Sequence, residues 1–189
     1  MDDAPLEDAL RAAQAGQAWA ARVLYEELSP RVLGYLRAKG AAEPEDLTSE
    51  VFLTVFGRIG TVTGGMAGLR TFAFSVAHAR LVDEYRRRAR RQPATEYAPE
   101  SDPRTSTAAE DDGLVAVQTA RVRALLDTLA SDQRDVLVLR ILGDLSVEQV
   151  AEVLGTSEGA VKQRQRRGLL ALRKRLERAG ITTIEGVTL

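Results

Sequence analysis

Ser146-Val147-Glu148-Gln149-Val150-Ala151-Glu152-Val153-Leu154-Gly155-Thr156-Ser157-Glu158-Gly159-Ala160-Val161-Lys162-Gln163-Arg164-Gln165-Arg166-Arg167 is the stretch that decides the fold. It opens with a capping box, a serine followed three residues later by glutamine. Val147, Val150, Ala151 and Leu154 then fall on one face of a short helix. Gly155-Thr156-Ser157 breaks the chain, and a second helix begins near Glu158. A helix-turn-helix needs a small residue where its helices touch, a glycine able to take the left-handed bend, and a buried aliphatic in its second helix. Ala151, Gly155 and Val161 supply these at the required spacing. The second helix of such a motif lays its N-terminal residues in a major groove. Those residues here are Ser157, Glu158, Gly159, Lys162, Gln163, Arg166 and Arg167.

Outward from the motif the chain remains helical in pattern. Val115, Val122, Leu125, Leu126 and Leu129 mark one helix, and Ser131-Asp132 reads as the cap of another running to about Leu142. Gly143-Asp144 is a turn, and the last helix extends to about Arg178. In the first half, Leu24, Leu28, Val32 and Leu36 recur every four residues. Pro30 falls inside that run, which predicts a kink or a restart with Ser29 as cap. Glu43-Pro44-Glu45-Asp46 opens a further helix, with proline and acids in its first turn. Five glycines between Gly57 and Gly68 predict a loop. A long helix follows, with Leu69, Phe72, Ala73 and Val76 on one face and Phe74, His78, Leu81 and Tyr85 on the next. No strand pattern or repeat is present. The fold class is therefore all-α, two small helical domains joined by a flexible acidic linker.

Charge sorts with this organisation. The 189 residues carry a net charge of only −1. Yet residues 70–91 sum to +5, residues 162–178 to +7, and residues 92–112 to −5. The acidic stretch holds Pro93, Pro99 and Pro103 and almost no large apolar residue, as a linker should. The predicted division is 1–91, a linker at 92–112, a helix-turn-helix domain at 113–180, and a mildly apolar tail at 181–189. Two basic blocks on a tether imply two polyanion-binding surfaces. In the first block, aromatic rings interleaved with arginines could stack unpaired bases, although aromatics at helical spacing are more often core.

Composition removes other classes. There is no cysteine, so disulfides, cysteine-ligated metals and thiol chemistry are excluded. His78 is the only histidine, and on its residues alone it reads as a surface or partly buried structural group. The glycines at 57–68 do not end in Gly-Lys-Ser/Thr, and no nucleophile–base pair is evident. No catalytic residue, cofactor or metal is therefore expected. No run of about 18 apolar residues occurs. Met1-Asp2-Asp3-Ala4-Pro5 lacks the basic start of a signal peptide, so a cytoplasmic protein without membrane insertion is expected.

Four segments in order carry a resemblance. Leu24-Tyr25 through Pro30-Arg31-Val32-Leu33-Gly34-Tyr35-Leu36, Glu45 to Phe56, Arg70-Thr71-Phe72 through Asp83-Glu84-Tyr85-Arg86-Arg87, and Gln133 to Leu137 with Leu145 to Arg164 resemble bacterial sigma factors of the extracytoplasmic-function (ECF) type. The resemblance implies a non-enzymatic factor that binds core RNA polymerase and directs it to promoters, under control of an anti-sigma factor. It implies that Asp46, Leu47, Glu50, Val51, Phe52 and Val55 bind core polymerase. Arg70, Phe72, His78, Arg80, Arg86 and Arg87 would capture the single-stranded −10 element, with the 57–68 loop reading bases. The −35 duplex would fall to the second helix of the helix-turn-helix. Phe72 stands where the family often has tryptophan, and Gln165 where an apolar residue is usual. The competing readings are a helix-turn-helix regulator with an N-terminal sensing or dimerisation domain, and an enzyme with a DNA-binding tail. The missing cysteines and phosphate loop weigh against the enzyme.

Overall fold

The computed structural model describes residues 4–91 and 124–178, and every regular element among them is helical. The N-terminal half comprises α1 (Ala4–Gln14), α2 (Ala18–Lys39), α3 (Pro44–Gly57), a 3-10 turn (Ile59–Thr61) and α4 (Gly65–Arg91). The C-terminal half begins with a helical turn at 124–127 and continues with α5 (Ser131–Ile141), α6 (Val147–Leu154) and α7 (Glu158–Arg178). The expected linker at 92–112, the residues 113–123 and the tail at 181–189 lie outside the described residues.

Four sequence expectations need correction. First, α1 has no counterpart in the sequence reading; it buries only Ala9, Leu10 and Ala13, too small a stripe to stand out. Second, α2 continues as one helix through Pro30, so the restart at Ser29 does not occur. Proline removes the bond to the carbonyl four residues back, that of Glu26, an exposed residue whose carbonyl can take water instead. Leu24, Leu28, Val32 and Leu36 are all buried on the inner side and hold the helix across the gap. Third, the glycine stretch is not one long loop. Ile59–Thr61 forms the 3-10 turn, and the side-chain amide of Gln14 donates to the carbonyls of Ile59 (3.2 Å) and Val62 (2.9 Å). Helix α4 then starts at Gly65, because the Glu7 carboxylate accepts the Met66 N–H at 2.8 Å and Met66 and Leu69 are buried. Gly68 is needed there: a Cβ would lie 1.8 Å from the Thr63 carbonyl oxygen. Fourth, Ser131 is inside α5, and Ala130 holds the N-cap position without a side-chain bond.

The core of the first half is built from the inner faces of α2, α3 and α4, with Tyr35 and Phe74 meeting edge-on at 5.7 Å. Val136, Leu137, Val138 and Leu139 of α5 are all buried. Four consecutive residues point around the whole helix circumference, so α5 must be covered on more than one side. Helix α7 covers one side and α2 of the other half approaches another, while α4 packs against α6. The two halves are thus packed together. Gln149 donates from its side chain to the Ala67 carbonyl and to Thr71 Oγ1, both at 2.8 Å. Lys39 of α2 pairs with Asp135 of α5, and Arg31 approaches Asp144 at 3.9 Å.

Candidate nucleic-acid and polymerase surfaces

The helix-turn-helix is set by local bonds. Ser146 Oγ accepts the Gln149 N–H (3.2 Å), and Gln149 Oε1 accepts the Ser146 N–H (2.7 Å), closing the expected capping box. Gly155 takes the left-handed conformation, φ 59°, at the end of α6. Such a φ is costly for a residue with a Cβ. Ala151 and Val161 are buried between the helices, as their spacing predicts. Ser157 Oγ accepts the Ala160 N–H at 3.2 Å and caps α7.

This geometry leaves Ser157, Glu158, Gly159, Lys162, Gln163, Arg166 and Arg167 all exposed along the N-terminal part of α7. Lys162 pairs with Glu158 one turn away at 3.3 Å, an exposed contact that phosphates can displace at little cost. Arg164 points elsewhere: it donates to Asp132 (3.1 Å) and Thr156 Oγ1 (3.2 Å), tying α7 to α5 and to the turn. Gln165 lies half-buried in an open groove with Arg140, Val147, Leu169, Leu170 and Arg173, so its amide does not enter the core. The exposed Leu170, with Val147 and Leu169, makes this an apolar groove rimmed by Arg140, Lys162, Arg166 and Arg173. The adjacent Leu169-Leu170 pair on a helix is the sequence signal that could have flagged it.

The residues that resemblance assigns to polymerase divide sharply by burial. Leu47, Val51, Phe52 and Val55 are in the core, at most 7% exposed. They hold α3 in place as core residues. Asp46 and Glu50 are exposed, and Leu53, which sequence reasoning passed over, is 75% exposed one turn further on. Positions 46, 50 and 53 follow helical spacing, so this outward stripe was open to detection. Arg37 donates to Glu45 at 2.5 Å, and that bond holds the Glu45 carboxyl below its ordinary value.

The residues assigned to the −10 strand are also dispersed. Arg70 is buried, which removes it from any free surface. Arg80 faces α3, donating to Thr54 Oγ1 (3.3 Å) and approaching Glu50 (3.8 Å). His78 is half-buried and shares a 2.9 Å hydrogen bond with the buried Tyr35 hydroxyl, as a structural group would. Burial pushes His78 below the ordinary histidine value and Tyr35 well above the ordinary phenol value. Phe72 is half-buried, beside Thr61, Val62, Thr63, Thr71 and Ser75. Arg86 and Arg87 are exposed on the distal part of α4. Among the described residues, no group of three or more His, Asp or Glu side chains could hold a metal ion.

Sigma-70 region 2 matches residues 24–91, and sigma-70 region 4 matches residues 125–174. The chain is 32% identical over 177 residues to the ECF RNA polymerase sigma factor BldN of Streptomyces coelicolor, covering 93% of this chain and 67% of that one. It is 32% identical over 178 residues to the ECF RNA polymerase sigma factor SigD of Mycobacterium tuberculosis, covering 89% and 82%. The chain belongs to the ECF sigma factors. The fold agrees: a solved structure of CnrH, in complex with the cytosolic domain of CnrY, is similar at a TM-score of 0.65 and 20% identity, covering 91% of this chain and 97% of that one.

An ECF sigma factor binds core RNA polymerase and promoter DNA and directs promoter-specific initiation. The regulator with an N-terminal sensing domain is not favoured, since the first half matches region 2. The family is one of transcription initiation factors rather than enzymes. No helix among the described residues is long and apolar enough to cross a membrane.

Proposed function

We propose a residue-level division of labour for this sigma factor. The exposed edge of α7, from Ser157 to Arg167, reads the −35 duplex, with Lys162, Arg166 and Arg167 on phosphates or base edges. The exposed stripe Asp46, Glu50 and Leu53 of α3 binds core polymerase. The turn at 59–63, with Phe72 and the basic end of α4 at Arg86 and Arg87, takes the unpaired −10 strand. The domains run over 1–91 and 113–180, with 92–112 as spacer. The protein acts without catalysis of its own, in the cytoplasm, and an anti-sigma factor is the regulator that family resemblance implies.

The observation that carries this reading is the row of exposed cations and polar groups on α7, held outward by a fully formed helix-turn-helix. Phosphate contacts position a protein on DNA and make binding salt-dependent. The test is in-vitro transcription with core polymerase on genomic fragments, comparing the native chain with Lys162→Ala. Loss of one phosphate contact should weaken promoter use and lower the salt slope by about one unit, with helical content unchanged. Unchanged salt dependence would remove Lys162 from the DNA interface. For α3, Asp46→Arg with Glu50→Arg should abolish co-elution with core polymerase.

A further inference from the structure

Helix α1 precedes the part of the chain that matches sigma-70 region 2, which begins at residue 24. Its apolar residues Ala9, Leu10 and Ala13 are buried and fix it against α2, beside the 3-10 turn and the start of α4. Two polar residues of α1 make contacts that this packing does not require. Glu7 and Gln14 stand two helical turns apart on one face, about 10 Å along the axis. Both reach the segment between α3 and α4, at its opposite ends.

At the entry, Gln14 Nε2 donates to the Ile59 carbonyl (3.2 Å) and to the Val62 carbonyl (2.9 Å). The Ile59 carbonyl already accepts the Val62 N–H at 3.1 Å. The amide therefore takes its second lone pair and ties it to the far end of the turn. At the exit, Glu7 Oε1 accepts the Met66 N–H at 2.8 Å. That carboxylate lies so close over Gly65 that a Cβ there would stand 2.6 Å from Oε1. Between the two ties, Thr63 is exposed, and Gly64 and Gly65 both have positive φ, 80° and 62°. Glycines leave such a segment many backbone shapes, and Gln14 and Glu7 remove that freedom at both ends.

We propose that Gln14 and Glu7 are positioning residues for −10 recognition: they act through the 59–66 segment, holding it in the one shape that distinguishes the bases of the unpaired strand. The proposal rests on the assignment of the 59–63 turn to that strand made above. A turn already in its binding shape loses little entropy on contact and does not remould itself around a wrong base. A released turn binds the best sequence more weakly, in proportion to the fraction of chains in the competent shape, and accepts other sequences more nearly equally.

The test uses the full chain with core polymerase and a library of forked duplexes randomised in the single-stranded −10 arm. Sequencing the captured forks gives the base preference at each position. Thr61→Ala with Thr63→Ala identifies the positions that the turn reads. Gln14 is exposed, so Gln14→Met removes both hydrogen bonds and leaves the apolar face of α1 intact. Preferences at the turn-read positions should then fall about three- to tenfold, the usual worth of such bonds. Preferences elsewhere in the arm should hold, and Glu7→Ala should flatten the same positions. Gln14→Lys keeps a donor and Glu7→Gln keeps an acceptor, so both should retain near-native preferences. A merely structural role would lower capture of all forks alike; that result, or no change in capture or preference, overturns the positioning role. Flattening by Glu7→Gln as strong as by Glu7→Ala overturns the tie at Met66. If the threonine changes move preferences and Gln14→Met does not, the turn reads bases and only the positioning falls. If the threonine changes leave every preference as it was, the −10 assignment of the turn fails and the proposal falls with it.

Discussion

The N-termini of α6 and α4 are both capped by side-chain oxygens, and they could hardly be arranged more differently. Helix α6 is capped by Ser146 and Gln149, three residues apart. Helix α4 receives its cap from Glu7, on α1, 59 residues away in the chain. The first arrangement is complete in any short piece of sequence. The second exists only when α1 is already docked. The C-terminal half is thus organised by local chemistry, and the N-terminal half by long-range packing that overrides local signals.

The largest effect should come from breaking that packing. Leu28 is buried on the face of α2 opposite the exposed Pro30. Leu28→Ala removes the side chain that holds the helix across its missing hydrogen bond, and should cost about 2–5 kcal/mol as a large-to-small core change. Urea unfolding followed by circular dichroism checks this. A loss below about 1 kcal/mol would mean that the core of α2 does not carry the helix past the proline.

Next comes the override itself. If α2 is continuous at Pro30, the proline is tolerated at a cost, and Pro30→Ala should raise stability by about 1–3 kcal/mol. A helix that restarted at Ser29 would instead favour proline at its first position, and the substitution would then destabilise. The sign of the shift in urea midpoint decides between the two.

These positions show where the sequence was legible. The capping box at Ser146 and the left-handed turn at Gly155 follow from residues within a few positions of each other. Pro44 with Glu45 and Asp46 marked the start of α3 for the same reason. The unbroken α2, the early start of α4 and α1 itself depend on partners remote in sequence, so local rules misread them. The functional surfaces divide in the same manner. The exposed residues of α7 were readable because a helix-turn-helix fixes which edge faces outward. On α3 and α4, the apolar and aromatic residues that stood out were those the core takes. Leu53, half a helix turn from Val51 and Val55, was overlooked although it is the exposed one.

The two caps can be compared directly. Ser146→Ala should cost about 1 kcal/mol, the usual effect of losing an N-cap hydroxyl. Glu7→Ala removes a charged acceptor from the α4 N-terminus and a tie between α1 and α4, and should cost more, about 1–2 kcal/mol. Hydrogen exchange separates the two: the Ser146 change should raise exchange near 146–150 alone, while the Glu7 change should raise it in both α1 and the first turns of α4. Exchange confined to residues 65–68 in the Glu7 variant would show that α1 stays docked without it.

The smallest effect concerns a group where both halves meet. His78 of α4 bonds to Tyr35, with Asp135 of α5 and Lys39 of α2 acting on it electrostatically. Burial is the main cause that lowers its proton affinity; the Asp135 carboxylate works against this, and Lys39 adds to it. A histidine with a depressed value in the folded state is neutral there, while the unfolded chain takes up a proton near pH 6.5. Its contribution to stability is therefore complete above about pH 6.5, and declines as pH falls from there through the folded-state value. Glu45, held down by Arg37, loses its contribution only at lower pH, below the ordinary carboxylate value, so it does not intrude in this window. Unfolding midpoints at about pH 7.5 and pH 5.5 should thus fall on acidification, and fall less in His78→Gln, which keeps a polar partner for the Tyr35 hydroxyl without a titrating ring. Equal losses in the two proteins would place the acid sensitivity elsewhere, and would mean that the ring is as easily protonated in the folded chain as in the unfolded one.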